Sequence, residues 1–231
     1  MTQLLLDLKP EQAPTLDNFV VGGNAELIAQ LNTLADAHCF DAIYLWGPEG
    51  CGKSHLLAAT AARAMRRRPI SLLAGADTGA EIAVAPGALI AIDDIQALGE
   101  AAQIALFRTF NAARLAGLAL LLSGSEPPAR LALRDDLRTR ISQALVFEVK
   151  ALSDDDKAAA LGRHAEMRGM RVEDGLIRYL LSRGRRDLPS LMAVLDALDR
   201  ATLERHRPVT LPLLKEVMQP QFDNDNESAS L

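Results

Sequence analysis

Cysteine and aromatic residues are scarce in this sequence. Its 231 residues include two cysteines, Cys39 and Cys51, and only 4% are aromatic. Two cysteines do not make a disulfide framework, and Cys51 lies in a glycine-rich stretch that would not tolerate a cross-link, so we expect a reducing, cytoplasmic location. Because the apolar residues are mostly Ala and Leu, the composition favours helices over a β-sandwich.

Long apolar runs and a basic surplus are also missing. The most apolar stretch, LAGLALLLSG, is about half as long as a membrane-spanning helix, so we expect no membrane partner. The first ten residues, MTQLLLDLKP, lack the basic segment of a signal peptide. The formal net charge of −5 argues against a nonspecific nucleic-acid binder. The three arginines of MRRRP are predicted to form a solvated helix end, with a local basic patch as the alternative.

Strand-like and helix-like segments alternate over the first two thirds of the chain. Buried strands are predicted by continuous apolar runs at 42–46, 70–74, 88–93, 118–124 and 144–149. Helical spacing is found at 24–37, 53–67 and 101–115. Buried strands separated by helices predict an α/β fold with a parallel sheet covered on both faces.

The pattern changes after Lys150, where only helical segments follow. We therefore expect an α/β domain at 18–150 and a small all-helical domain at 151–219. An apolar peptide at 1–8 and a proline-bearing linker at 9–17 precede them. The polar, acidic tail at 220–231 is predicted to be disordered.

The segment GPEGCGKS carries the clearest chemical signal. It fits G-x-x-x-x-G-K-[ST] between a predicted strand and a predicted helix, which is the context of a phosphate-binding loop. Glycines let several backbone N–H groups point at one anion, and the helix adds its positive end. The alternative is a glycine-rich turn that happens to contain a lysine. The residues expected to hold ADP or ATP are Gly47, Pro48, Glu49, Gly50, Cys51, Gly52, Lys53, Ser54 and His55.

Specific roles follow for the end of this loop and for the acids of ALIAIDDIQAL. Lys53 is predicted to reach the β and γ phosphates, and the Ser54 hydroxyl to bind Mg²⁺. The predicted strand delivers two carboxylates to its carboxyl end, where ligands bind in open α/β sheets. Asp93 is predicted to hold Mg²⁺, directly or through water, and Asp94 to activate or orient the attacking water. The side chain of Asp94 is one methylene shorter than that of glutamate, so we expect weak hydrolysis of ATP. The alternative for Asp93 and Asp94 is that they cap the N-terminus of a helix.

Two further segments supply candidates of lower specificity. In LLLSGSEPP, either Ser123 or Ser125 could contact the γ phosphate or the water, with Ser125 favoured over Ser123; a simple strand-to-loop turn is the alternative. In DDLRTRI, Arg138 or Arg140 could reach the nucleotide of a neighbouring subunit as an arginine finger. The alternative for both arginines is a solvated helix face.

Taken together and in this order, these segments resemble AAA+ ATPases, and more narrowly the DnaA initiators and the DnaA-related Hda regulators. The quoted stretches are DNFVVGGNAELIAQL, GPEGCGKSHLL, IDDIQAL and LRTRI, and the resemblance covers about 3–219. It implies that the helical domain is the lid of an AAA+ module and that Phe19 contacts the adenine. It also implies that Arg140 is the arginine finger acting in trans and Ser125 the sensor-1 residue. DnaA initiators carry a C-terminal helix-turn-helix domain, for which we expect no counterpart after Met218.

The Hda branch also implies partners. Its members begin with a peptide that binds the β sliding clamp of DNA polymerase III, here Gln3, Leu4, Leu6 and Leu8 within QLLLDL. The resemblance implies a negative regulator of replication initiation that binds DnaA and stimulates hydrolysis of its ATP. DNA would be contacted only indirectly, through the clamp, and a homo-oligomer is left open.

One position departs from the family pattern. The sensor-2 arginine falls on Pro189, so we expect that Arg186 replaces it or that the contact is missing. This departure, together with Asp94 and the acidic charge, argues against the alternative of an autonomous ATPase such as a helicase loader or remodeller. A small-molecule kinase with the same phosphate loop is a third reading, which no other motif supports.

Overall fold

Five short parallel strands form one sheet in the first part of the chain. The computed structural model describes residues 13–36, 41–185, 187–205 and 207–218. The spatial order of the strands is β2-β3-β4-β1-β5. Their bounds are β1 Ala42–Trp46, β2 Ile70–Ala74, β3 Leu89–Asp93, β4 Ala119–Gly124 and β5 Leu145–Glu148. The predicted α/β fold with a parallel sheet is confirmed.

Helices cover both faces of this sheet, because alternate strand residues point in opposite directions. The helices are α1 Ala25–Leu34, α2 Lys53–Ala64, α3 Glu100–Ala116 and α4 Asp135–Ser142. On one face, Leu45, Ala91 and Leu121 belong to a core with residues of α1 and α2. On the other, Ile92 and Leu122 belong to a core with residues of α3 and α4. Burial on both faces explains why the strands read as continuous apolar runs.

A second, all-helical unit follows, and the chain divides into Met1–Lys150 and Ala151–Leu231. Its helices are α5 Asp154–Met167, α6 Asp174–Arg183, α7 Leu188–Arg205 and α8 at 211–218. The Ser153 hydroxyl accepts the Asp156 backbone N–H and caps α5, and Gly169, with φ +74°, follows its end. Leucines from all four helices, among them Leu161, Leu180, Leu195 and Leu214, form the core of this unit.

The arginines that follow α2 differ from the prediction. Arg66 and Arg67 are exposed, but Arg68 is buried, with 6% of its surface accessible. Its guanidinium donates to backbone carbonyls of Gly87 and Ala88, among others. The prediction of a solvated helix end is therefore wrong for Arg68. Its guanidinium instead forms hydrogen bonds with backbone carbonyls inside the first unit.

No helix within the described parts of the chain is both long and apolar enough to span a bilayer.

Asp187 caps the start of α7 and makes the helical unit sensitive to acid. Its carboxylate accepts the Ser190 backbone N–H at 2.9 Å and lies 3.4 Å from the Arg185 guanidinium. Burial raises the pKa of Asp187, but the hydrogen bonds from Ser190 and the charge of Arg185 outweigh it, so the pKa lies below its usual value. The stabilisation is therefore complete above the unfolded pKa of about 3.9 and is lost as the pH falls through the lower, folded pKa.

We predict that Asp187→Ala lowers the free energy of unfolding of the helical unit by about 1 kcal/mol at pH 7. The difference from wild type should shrink as the pH falls below about 4, because the wild-type carboxylate becomes protonated. Urea unfolding followed by circular dichroism at several pH values measures it. Asp187→Asn is the matched control, since asparagine keeps the capping oxygen without a titrating charge. A wild-type advantage that stays constant on acidification would contradict the assignment.

Candidate functional site

The segment Gly47–Ser54 joins the end of β1 to the start of α2, as the sequence predicted. Gly50 and Gly52 have φ values of +73° and +101°, which side chains disfavour, so glycine is required at both turns. Gly52 is the residue before Lys53, the first residue of α2. The loop therefore leads directly into the N-terminus of a twelve-residue helix, where the helix dipole is positive. This arrangement binds phosphate.

The Lys53 ammonium lies over this loop. Its Nζ donates to the Gly47 carbonyl at 2.8 Å and to the Pro48 carbonyl at 3.0 Å, and it is 3.9 Å from the Cys51 Sγ. Burial raises the pKa of the Cys51 thiol and outweighs the nearby Lys53 charge, which lowers it. The thiol therefore stays protonated at neutral pH, and the loop keeps its positive character.

Phe19 and His55 lie against the outer side of the loop. A Cβ placed on Gly52 would come within 2.8 Å of the Phe19 ring, and the rings of Phe19 and His55 are 5.7 Å apart. The His55 Nε2 is also 3.0 Å from the Thr15 carbonyl oxygen. The structure thus brings both side chains to the nucleotide loop; the contact of Phe19 with adenine stays a prediction.

The chain before Phe19 is anchored to the same unit. Thr15 and Asn18 exchange two hydrogen bonds between side chain and backbone, and the Asn18 amide donates to the Ala13 carbonyl. Leu16 is buried in the core between the sheet and α2. Residues 13–17, the second half of the predicted linker, therefore have defined contacts. The residues predicted to bind the clamp, Gln3, Leu4, Leu6 and Leu8, lie outside the described residues.

The two acids follow one another at the carboxyl end of β3. The Ser123 hydroxyl donates a hydrogen bond to the Asp93 Oδ1 and accepts the Asp94 backbone N–H at 3.0 Å. Ser123 is fully buried, so its hydroxyl is used by the acids and does not face a ligand. Ser125 is exposed just beyond β4, and its role as the sensor stays a prediction.

Asp94 has a backbone conformation that its side chain alone would not select. Its φ of +54° is the only positive value at a non-glycine position within the described residues. Gly75 makes this possible, because a Cβ at that position would lie 2.2 Å from the Asp94 carbonyl oxygen. The Gln96 amide donates to the Asp94 carboxylate at 3.1 Å and accepts the Ser125 backbone N–H at 3.2 Å. Gln96 therefore ties the second acid to the segment after β4.

The residues predicted to bind Mg²⁺ suit this ion by their chemistry. Ser54 offers a hydroxyl and Asp93 a carboxylate, both hard oxygen donors. No cluster of three or more histidine, cysteine or acidic side chains suited to a metal is present among the described residues. Two protein oxygens are what Mg²⁺ takes when nucleotide phosphates and water complete its coordination. If the ion is bound, Ser54 and Asp93 hold it, and it neutralises phosphate charge.

The two candidate arginines of α4 have different surroundings. Arg138 forms a salt bridge of 2.6 Å with Asp135 on its own helix. Arg140 is exposed; its guanidinium donates to the Asn111 amide oxygen at 2.8 Å and lies 6.0 Å from the centre of the Phe107 ring. No carboxylate within the described parts of the chain forms a salt bridge with Arg140. It therefore keeps an uncompensated positive charge at the surface.

The position expected to carry sensor 2 is in the helical unit. Pro189 is the second residue of α7, where its missing N–H costs nothing. Arg186, the suggested substitute, lies outside the described residues, so that suggestion stays a prediction.

Several contacts of the site were not predicted. Gln96, Asn111 and Phe107 carry no specific sequence signal for a role at the site, because none of them has a fixed spacing to its partner; the spacing of Phe107 predicts only a core position on its helix. One signal was present for Gln96: it follows Asp94 by two residues, close enough for its amide to reach back to the carboxylate.

The comparisons with known proteins agree with this geometry. Residues 154–218 match the family model described as "Hda, lid domain". The chain thus has the AAA+ fold, and its helical unit is similar to the lid domain of Hda proteins. The AAA+ module is similar in fold to domain III of the replication initiation protein DnaA from Thermotoga maritima, with a TM-score of 0.75 and 18% identity. That match covers 92% of this chain and 98% of the other.

Two other structures show how widely the fold occurs. A replication initiator DnaA bound to AMPPCP and single-stranded DNA matches 85% of this chain and 68% of its own, with a TM-score of 0.68 and 20% identity. The RuvB Holliday junction branch migration motor of Thermotoga maritima matches 89% of this chain and 71% of its own, with a TM-score of 0.68 and 17% identity. At these identities the likeness concerns the fold alone.

Proposed function

We propose that this chain is an AAA+ protein of the DnaA/Hda branch and a negative regulator of replication initiation. It binds ADP or ATP in its own site, binds the β sliding clamp of DNA polymerase III, and stimulates hydrolysis of ATP bound to DnaA. The observation that carries the proposal is the exposed, uncompensated guanidinium of Arg140, on a chain whose helical unit matches the Hda lid family.

The surroundings of Arg140 suit a group that acts on another molecule's nucleotide. Its partners, an amide oxygen and an aromatic ring, hold the side chain without neutralising it. An arginine placed against the γ phosphate of a neighbouring subunit stabilises charge on the transferring phosphoryl group. Arg138 is already paired with Asp135 and would have to break that contact to do the same.

The chain's own nucleotide has a different role in this proposal. The loop that ends at Lys53 binds its phosphates, and Ser54 and Asp93 hold Mg²⁺. Asp94 is short for a base and its carboxylate accepts the Gln96 amide, so turnover is slow. The nucleotide then stabilises the form of the AAA+ protein that assembles with the initiator.

The N-terminal residues provide the attachment to the clamp. Gln3, Leu4, Leu6 and Leu8 offer an amide and three apolar side chains to a groove on the clamp. Only residues 9–12 separate Leu8 from Ala13, whose carbonyl oxygen is bound by Asn18. A fully extended chain across this gap spans about 18 Å, so clamp binding would hold the nucleotide-binding unit close to the clamp.

The test compares the full chain with a version lacking residues 1–8. We predict that the truncation weakens binding to purified β clamp by at least about a hundredfold, since four side chains that fill the groove are lost. Hydrolysis of DnaA-bound ATP in the presence of clamp loaded on DNA should fall to the level without the regulator. Lys9→Ala, outside the proposed contact, is the matched control and should behave as wild type.

Other outcomes distinguish the alternatives. Clamp binding that survives the truncation would show that residues 1–8 are not the ligand. If the full chain does not bind the clamp and turns over ATP rapidly with single-stranded DNA, the protein is an autonomous ATPase instead.

A further inference from the structure

Ser123 is a fully buried polar residue, and the proposed chemistry assigns no role to it. A hydroxyl has one proton to donate. In this structure that proton goes to the Asp93 Oδ1, and a lone pair on the same oxygen accepts the Asp94 backbone N–H. The Ser123 side chain therefore forms hydrogen bonds with both the carboxylate of Asp93 and the backbone N–H of Asp94.

The sheet places Ser123 between the two parts of the nucleotide site. Strand β4 lies between β3 and β1, and the register pairs Ile92 with Leu122, so Asp93 and Ser123 come next on adjacent strands. On its other side Ser123 is paired with Leu45 of β1, the strand that leads into the phosphate loop. Ser123 thus lies between the end of β3, which its hydroxyl contacts, and the strand that carries the loop, with which its backbone is paired.

We infer that Ser123 is a positioning residue for the divalent cation of the nucleotide site. By occupying the Asp93 Oδ1, its hydroxyl fixes the rotation of the carboxylate and leaves Oδ2 available to the ion or to an ion-bound water. By accepting the Asp94 N–H, it holds the backbone at the position where φ is +54°. The inference rests on the nucleotide and Mg²⁺ binding in the proposed function, and it does not depend on the clamp or the initiator.

Loss of the hydroxyl should act on the ion and not on the nucleotide itself. In Ser123→Ala, Asp93 is free to rotate and the Asp94 N–H loses its partner, while the phosphate loop keeps its contacts. Groups that orient a metal ligand typically contribute a factor of about 10 to 100 to metal affinity. Ser123→Thr retains the hydroxyl and should restore wild-type behaviour.

The experiment measures ADP affinity by isothermal titration calorimetry, once with saturating Mg²⁺ and once with EDTA, for wild type, Ser123→Ala and Ser123→Thr. The ratio of the two affinities reports the ion alone. We expect Ser123→Ala to lose at least about tenfold in that ratio, with unchanged affinity in EDTA. Direct titration of the ADP complex with Mn²⁺, followed by electron paramagnetic resonance, should show the same loss.

A purely structural role gives a different result, because general damage to the site lowers affinity with and without the ion equally. Equal losses in Mg²⁺ and EDTA, or failure of Ser123→Thr to restore the ratio, would overturn the inference. Thermal unfolding shows whether each variant is folded. If Ser123→Ala does not fold, Ser123→Cys is used in its place, because a thiol is a weaker hydrogen-bond donor than a hydroxyl. The inference is also overturned if the affinity of the wild-type protein for ADP is the same with Mg²⁺ and with EDTA. The clamp and initiator assays test the proposed function independently.

Discussion

Replacing Arg140 with alanine is expected to lower the stimulated hydrolysis of DnaA-bound ATP by about a thousandfold or more. The physical reason is that phosphoryl transfer develops charge that the site of a single subunit leaves partly unbalanced. An arginine supplied from a neighbour stabilises that charge in a region from which water is excluded. The measurement is single-turnover hydrolysis of radiolabelled ATP on DnaA, with clamp loaded on DNA.

The structure supplies a matched control on the same helix. Arg138 is two residues away and paired with Asp135, so Arg138→Ala should retain stimulation within about threefold of wild type, the change expected when a surface ion pair is removed. Arg140→Lys should fail to restore activity, because lysine presents a point charge where arginine presents a planar fork of donors. Clamp binding and ADP affinity should be unchanged in all three variants.

The result has a clear contrary outcome. If Arg140→Ala stimulates as well as wild type and Arg138→Ala does not, the finger is the other arginine and the Asp135 salt bridge opens on assembly. If both variants are active, the regulator acts without an arginine finger and the proposal for this surface is wrong.

The strands and the phosphate loop were predictable from sequence because their signals are local. Each strand is buried on both faces and reads as an apolar run, and the glycines of GPEGCGKS are required by backbone geometry at Gly50 and Gly52. The acids could be placed as well, since a parallel sheet brings the carboxyl ends of its strands to one edge. The sequence alone thus predicts that Asp93 and the phosphate loop lie at the same edge of the sheet.

Contacts between distant side chains could not be predicted in the same way. The sequence favoured Ser125 over Ser123 as a chemical group, and only the register of β3 and β4 shows that Ser123 lies next to Asp93. Arg140 and Asn111 are 29 residues apart, on two helices whose packing is a tertiary property. Arg68 was misjudged for the same reason, because a run of arginines after a helix gives no sign that one of them points inward.

Replacement of Arg68 with methionine should have the largest effect on stability. Among the described residues, the guanidinium donates to backbone carbonyls in three separate places: the end of α1 and the residues that follow it, the turn before β3, and the residue after α3. These acceptors are Leu34, Asp36, Gly87, Ala88 and Gly117. Methionine fills similar volume but leaves several buried carbonyls without a donor, so we expect a loss of about 4 kcal/mol in the free energy of unfolding.

The chain offers a specific probe and a close control for this prediction. Trp46 is the only tryptophan and ends β1, so its fluorescence during urea unfolding reports the first unit alone. Arg67 is adjacent but 61% exposed at its side chain, and its salt bridge with Asp36 is at the surface. Arg67→Met should therefore change stability by less than about 1 kcal/mol.

Arg68→Lys separates charge from geometry at this position. An ammonium offers three donors at one point and cannot reach carbonyls in three places, so lysine should restore less than half of the lost stability. Equal unfolding midpoints for Arg68→Met and Arg67→Met would show that the buried contacts contribute nothing net. Full recovery with lysine would mean that the positive charge alone holds the three segments. The expected order, wild type above lysine and lysine above methionine, requires that the fork of the guanidinium joins the ends of two helices and a turn.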